Sequence, residues 1–327
     1  MSDYPVIRSV AFHVPDDVWP NSKLEKLVDT TDEWIQSRTG IVKRHIAPKD
    51  ESTATLGAEA ARKALKRAGM DATEIDVIIV ATMTPEMPFP ATACFIQDSI
   101  GAVNAGAFDI AAACTGFIYA LSIGSAMIKA GSAQNVLVIG AETLSRVVDW
   151  TDRNTCVLFG DGAGACVLSR EGDGGRVIDT IIRTDGSRTG LLYMPGGGSR
   201  NPASEETLRD RMHFMKMTGK GLYREATTWM ADGVREVLDK NGLAVADIDM
   251  LIAHQANLRI ILSTAKKLGL PSEKAYVNID RYGNTSAATI PIALSEALDE
   301  GKISKGDCVV LVGFGSGMTW GASLLRF

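Results

Sequence analysis

Aromatic residues are scarce in this chain, 6% of 327, and histidine is scarcer still, with four in all. Cysteine occurs five times, an odd number, and no two form a C-x-x-C. Cys94, Cys114, Cys156, Cys166 and Cys308 lie far apart, four of them in apolar runs. That pattern argues against a disulfide framework and against a zinc or other metal site. Positive charge is not in excess: 34 Lys+Arg minus 39 Asp+Glu gives −5, so nothing points to a nucleic-acid partner. No run of about 18 uninterrupted apolar residues exists, so no membrane span is expected. The nearest candidate, Phe117 to Gly131, carries Ser122, Ser125 and Lys129. Met1 to Ile7 shows no charged segment followed by an apolar one, so no secretory signal is read there. A reduced, cytoplasmic protein is expected.

Apolar residues are plentiful, 46% against 22% charged. A chain this long buries roughly three quarters of its unfolded surface and needs no staples. It also repeats itself. At an offset of 173, Arg62, Leu65, Gly69, Ile75, Asp76 and Ile79 fall on Arg235, Leu238, Gly242, Ile248, Asp249 and Ile252. The same offset carries Ala120-Leu121-Ser122 onto Ala293-Leu294-Ser295, and the apolar run 136–140 onto 309–313. Each copy reads helix, glycine stop, turn, short apolar strand, then a later helix and strand. Val77 to Ala81 and Met250 to Ala253 are continuous apolar runs, the mark of strands buried on both faces. Alternating helices and buried strands predict an α/β protein of layered α/β/α/β/α form. Its halves should be 1–172 and 173–327, divided at the Gly-rich connector 171–175.

Three residues stand out chemically. Cys114 falls at a strand-to-helix turn, where a helix start favours a thiolate and so a depressed pKa. His254 ends the second copy's strand, the usual place for catalytic groups in α/β sheets. Asn284 precedes the helix that matches the one after Cys114, and a pseudo-two-fold would bring the two turns together. Locally it also suits a turn or cap. The glycine runs 160–164 and 313–317 lack the complete nucleotide-binding pattern, and tight turns are expected there.

In order along the chain come Asp32-Glu-Trp34-Ile-Gln-Ser-Arg38-Thr-Gly40, Ala112-Ala-Cys114-Thr-Gly116, Thr151-Asp-Arg153 and Phe159-Gly-Asp-Gly-Ala-Gly164. Pro195-Gly-Gly-Gly-Ser199, His254-Gln-Ala-Asn257-Leu-Arg259, Gly283-Asn284-Thr-Ser286 and Gly313-Phe-Gly-Ser-Gly317 follow. Together they resemble the β-ketoacyl-acyl-carrier-protein synthase III family over essentially the whole chain. The resemblance implies a duplicated thiolase-like five-layer fold, a homodimer, and a Cys114–His254–Asn284 triad. It implies an acyl-cysteine formed from acyl-CoA and a decarboxylative condensation with malonyl-acyl carrier protein. Backbone N–H groups at Cys114 and Ser316 would hold the oxyanion. No cofactor is implied beyond the CoA thioester substrates. Thr30, Trp34, Arg38, Arg153, Gly219, Tyr223 and Asn257 would bind CoA, and Phe89 would cap the partner's acyl pocket.

A basic row is read separately: Arg259 and Lys266 share a helix face, Lys267 is adjacent, and Lys216, Lys220 and Arg224 lie nearby. It would dock the acidic carrier protein. Hydroxymethylglutaryl-CoA synthases and olefin-pathway enzymes are resembled less, because Met83 stands where they need an acid and Glu86 comes three residues late. A polyketide starter enzyme with the same triad remains an alternative. So does a Cys-His thioester hydrolase.

Overall fold

The computed structural model describes residues 4–327. Along the chain run β1 (Val6–His13), α1 (Asp32–Thr39), α2 (Thr53–Ala68), β2 (Val77–Ala81), α3 (Thr92–Ile100), β3 (Gly106–Ile110), α4 (Gly116–Lys129), β4 (Asn135–Glu142) and β5 (Gly162–Ser169). Then come β6 (Gly175–Thr184), α5 (Gly219–Lys240), β7 (Met250–Ala253), α6 (Leu258–Leu268), α7 (Thr289–Asp299), β8 (Cys308–Gly315) and β9 (Thr319–Arg326).

The two short apolar runs are strands with the predicted ends. Both are fully buried, because helices cover each face. The offset of 173 also holds in three dimensions. Val77 pairs with Val136 in one parallel ladder, and Met250 pairs with Val309 in the other, in the same register. The 3-10 turns Ala113–Thr115 and Ser286–Ala288 are 173 residues apart as well. Each opens on a residue of positive φ, Ala113 at 48° and Ser286 at 50°. Gly69 is the αL cap of α2, as its place predicts. Gly242 is also left-handed but sits one residue later, because Asn241 is the C-cap of α5.

The strands form one hydrogen-bonded series, β7-β8-β9-β6-β1-β5-β4-β2-β3. Its two halves meet where β1 pairs with β6, Val6↔Arg176 and Ile7↔Gly175, beside a bond from Val177 N–H to Pro5 O at 2.8 Å. Alternate side chains show the layering. Ile79, Val136 and Val138 on one half, and Ile252, Val309 and Leu311 on the other, enclose Phe117 and Leu121 of α4 and Ile290 and Leu294 of α7. The opposite faces pack against α2 and α3 on one side, and against α5 and α6 on the other. Five layers result. Burial of each large apolar side chain in the central layer is worth roughly 1.5–3 kcal/mol.

Candidate active site

Cys114 sits in the 3-10 turn between β3 and α4, buried at 7% exposure. Two close approaches press the turn into place. A Cβ on Gly116 would lie 2.8 Å from Ala81 Cβ, and one on Gly315 would lie 2.8 Å from the Cys114 backbone nitrogen. Only glycine allows the β8 end to pack on the Cys114 peptide. Close approach, and not a tight turn, also explains Gly160, whose Cβ would meet Tyr282 O at 2.5 Å.

The expected depression of the thiol pKa is reversed. Burial pushes Cys114 up to about 12, and Glu142 nearby adds to the rise, while a hydrogen bond with Ser286 opposes it. The helix start favours the thiolate, but the cost of an anion in a dry pocket outweighs it. Glu142 was not singled out from sequence. It ends β4, fully buried, and accepts from the N–H groups of Met83 (3.1 Å) and Thr84 (3.1 Å). The hydroxyls of Thr84 (2.6 Å) and Thr82 (3.3 Å) also donate to it. Burial still pushes its carboxyl up to about 7. A lone acid closing an otherwise apolar strand, Val136 to Glu142, was the available signal.

His254 follows β7 and is 2% exposed. Its backbone N–H donates to Val312 O at 2.7 Å, and ring Nδ1 lies 2.6 Å from Thr289 Oγ1. Burial lowers its pKa to about 3. Asn284 is pinned through its backbone, its N–H on Leu158 O and its carbonyl accepting from Gly160 N–H. Its Oδ1 accepts from Ser286 N–H at 2.8 Å, which leaves the amide NH2 free to donate.

All three residues line one cavity of about 810 Å³. Trp34, Arg38, Arg153, Gly219, Tyr223 and Asn257 line it too. The Arg153 guanidinium lies 5.0 Å from the Trp34 ring centre. Thr30 does not line it. There the wall is Trp34 and Arg153, with Arg153 Nη1 donating to Asp29 O at 2.7 Å. A second, apolar cavity of about 100 Å³ shares Cys114, Phe159 and Leu192 with the first. Its walls include Met83, Leu144, Met194, Met215 and Ser316. The thiol therefore sits where a long channel meets a small apolar chamber.

The family model described as 3-oxoacyl-[acyl-carrier-protein (ACP)] synthase III matches residues 108–186, and that for its C-terminal part matches 238–327. A β-ketoacyl-[acyl-carrier-protein] synthase III of Caldanaerobacter subterraneus subsp. tengcongensis is 49% identical over 98% of this chain and 97% of its own length. The chain belongs to the β-ketoacyl-acyl-carrier-protein synthase III family. The crystal structure of the Aquifex aeolicus 3-oxoacyl-[acyl-carrier-protein] synthase III superposes with a TM-score of 0.92. It is 47% identical and covers 99% of this chain and 100% of that one. The priming β-ketosynthase of the R1128 polyketide pathway has a TM-score of 0.91 at 35% identity, over 99% and 96% of the two chains. The fold is the thiolase fold, and the chain is a condensing acyltransferase.

Other sites expected of a synthase III are placed as follows. Ser316 packs its turn beside Cys114, but its hydroxyl is spent on Leu192 O. Asn257 caps α6 and donates to Arg38 O at 3.0 Å, so it ties the channel's two helices together. Phe89 lines neither of these two cavities and is 83% exposed. Arg259 lies in the first turn of α6, with its guanidinium 5.8 Å from the Tyr223 ring centre, beside the channel. Lys266 and Lys267 lie in the last turn of the same helix, where Lys267 donates to Thr228 Oγ1 at 2.7 Å. Arg224 on α5 is exposed and pairs with Glu225 at 3.2 Å. Lys216 lies just before α5. Lys220 is in α5, and its side chain lies outside the described residues. Among the described residues no cluster of three His, Cys, Asp or Glu side chains could hold a metal, and no helix is long and apolar enough to cross a membrane.

Proposed function

We propose that the chain condenses an acyl-CoA primer with malonyl-acyl carrier protein and so initiates fatty acid synthesis. One observation carries this reading: the buried thiol lies at the junction of a long channel and a small apolar chamber, with His254 and Asn284 on the channel wall. The channel takes the CoA arm, with Trp34, Arg38 and Arg153 at its nucleotide end and Gly219, Tyr223 and Asn257 along it. The chamber takes the acyl group. Cys114 attacks the thioester carbonyl, CoA leaves, and N–H groups at Cys114 and Ser316 hold the tetrahedral oxyanion. Malonyl-acyl carrier protein then enters the same channel. Loss of CO2 leaves an enolate, and its oxygen receives hydrogen bonds from His254 and the Asn284 amide. The carbanion attacks the acyl-cysteine and releases a 3-oxoacyl-acyl carrier protein.

The chemistry uses only CoA thioesters and the carrier protein, with no further cofactor, in the cytoplasm. We read 1–172 and 173–327 as its two units. A homodimer fits the edge strand β3, whose Phe108 is exposed, with Phe89 reaching the partner's chamber. The test is acetyl-CoA plus labelled malonyl-acyl carrier protein: CO2 and a 3-oxo product are expected. Free acid without condensation would favour the hydrolase reading, which the weak basicity of the buried His254 disfavours. The likeness to the R1128 enzyme keeps a starter role in polyketide synthesis as the second reading. Acylation rates across a panel of acyl-CoA primers separate the two.

Arg259→Glu should raise the KM for malonyl-acyl carrier protein, and more so at low salt, where screening is least. An equal loss of acyl-CoA loading would place Arg259 in the CoA channel instead. His254, held near pKa 3, stays neutral over the working range, so decarboxylation should show no step near its ordinary value of 6.5. The sign for stability is opposite to that of a paired histidine. Between 6.5 and about 3 the unfolded chain takes up a proton that the folded site refuses, so this residue makes the fold less stable as pH falls. A rate step centred near 6.5 would show the imidazole open to solvent.

A further inference from the structure

The repeat places residues 81 and 116 of the first copy where the second copy has 254 and 289. In the first copy that contact is between two small groups, the Ala81 Cβ and the space over Gly116, where a Cβ would come within 2.8 Å. In the second it is His254 against Thr289, with Nδ1 2.6 Å from Oγ1. The fold therefore brings the same two positions together twice, and only the second copy fills them with a hydrogen-bonding pair.

Thr289 is the first residue of α7 and 2% exposed. Its hydroxyl has one proton and two acceptors in reach, His254 Nδ1 at 2.6 Å and Ser286 O at 3.0 Å. Ser286 O already accepts the backbone N–H of Thr289, so it loses little if the hydroxyl turns away. The shorter contact is the one to the ring. A hydroxyl that donates to Nδ1 requires Nδ1 to be bare and puts the ring proton on Nε2, the nitrogen left to face the channel. The neighbouring turn does the same for the other donor: Ser286 N–H holds Asn284 Oδ1 and frees the amide NH2.

We propose that the Thr289 hydroxyl is a positioning group that holds His254 in the tautomer protonated on Nε2, ready to donate to the enolate oxygen. This rests on the assignment of His254 to the decarboxylation step. Thr289 touches no reacting atom and acts only through the imidazole.

The test pairs a spectrum with rates. In wild-type protein labelled with ¹⁵N-histidine, the His254 signals should show a protonated Nε2 and a hydrogen-bonded, unprotonated Nδ1. Thr289→Val keeps the branched shape and removes the hydroxyl. It should shift the Nδ1 signal and slow CO2 release from malonyl-acyl carrier protein about tenfold or more, the scale on which loss of an imidazole's orienting partner is felt. Loading of Cys114 by acetyl-CoA should change little, and Thr289→Ser should restore both spectrum and decarboxylation. A wild-type spectrum with the proton on Nδ1 overturns the proposal, whether or not the valine variant folds. So does a valine variant with wild-type decarboxylation. If His254→Ala itself decarboxylates normally, the underlying assignment has failed; if only the Thr289 variants are silent, this inference alone has.

Discussion

Replacing Cys114 with alanine should abolish acyl transfer and leave the fold standing. In the wild type, brief mixing with acetyl-CoA should give one acyl adduct per chain, on the peptide that contains Cys114. The variant should give none. The other cysteines are an internal control. Cys156, Cys166 and Cys308 are buried, and burial pushes Cys156 up to about 11 and Cys166 to about 12. Cys94 is exposed but lies on α3, away from both cavities. Cys114 has an equally unwilling thiol, so its reactivity has to come from placement. It alone among the five lines the cavities, next to Ser286 and the Gly315 turn. Alanine keeps the Cβ, and both preceding residues are already alanine. The melting temperature should therefore move by no more than a few degrees. An adduct on any other cysteine would move the active site.

The sequence made the central layers readable because their signals are redundant. Strands β2 and β7 are uninterrupted apolar runs, and the offset of 173 supplies each with a second copy to compare. The same repeat placed Asn284 across from Cys114, and the two turns do meet in one cavity. Polar residues that work from behind the site were not readable. Glu142 looks like the end of a strand, and its counterpart at the offset is Gly315, so the repeat gives no hint of it. Thr289 looks like a helix-start threonine, and only the contact with His254 changes its meaning. The thiol's raised pKa is hidden from the sequence for the same reason: burial is a property of the assembled layers, and helix position is local. The glycines were explained by turns, whereas Gly160 and Gly315 serve packing across elements distant in sequence.

The second large effect should separate the two half-reactions. In the proposed mechanism acylation needs the Cys114 nucleophile and an oxyanion site, neither of which contains the side chain of His254 or Asn284. Decarboxylation needs donors for the enolate oxygen. The geometry offers two, the imidazole tied through Nδ1 and an amide whose Oδ1 is already bonded to Ser286 N–H. Removing one such donor costs about 3–4 kcal/mol of transition-state stabilisation, roughly 10²–10³ in rate. His254→Ala and Asn284→Ala should lose CO2 release and condensation by about that factor or more. Both should still be acylated by acetyl-CoA within a small factor of wild type. The two readouts, labelled acyl incorporation and CO2 from malonyl-acyl carrier protein, are taken on the same preparations. Failure of His254→Ala to be acylated would make His254 the base for the thiol. That outcome conflicts with a ring whose proton affinity burial has lowered so far, and it would raise the Cys-His hydrolase reading. Normal decarboxylation by Asn284→Ala would reduce Asn284 to a turn residue pinned between Leu158 and Gly160.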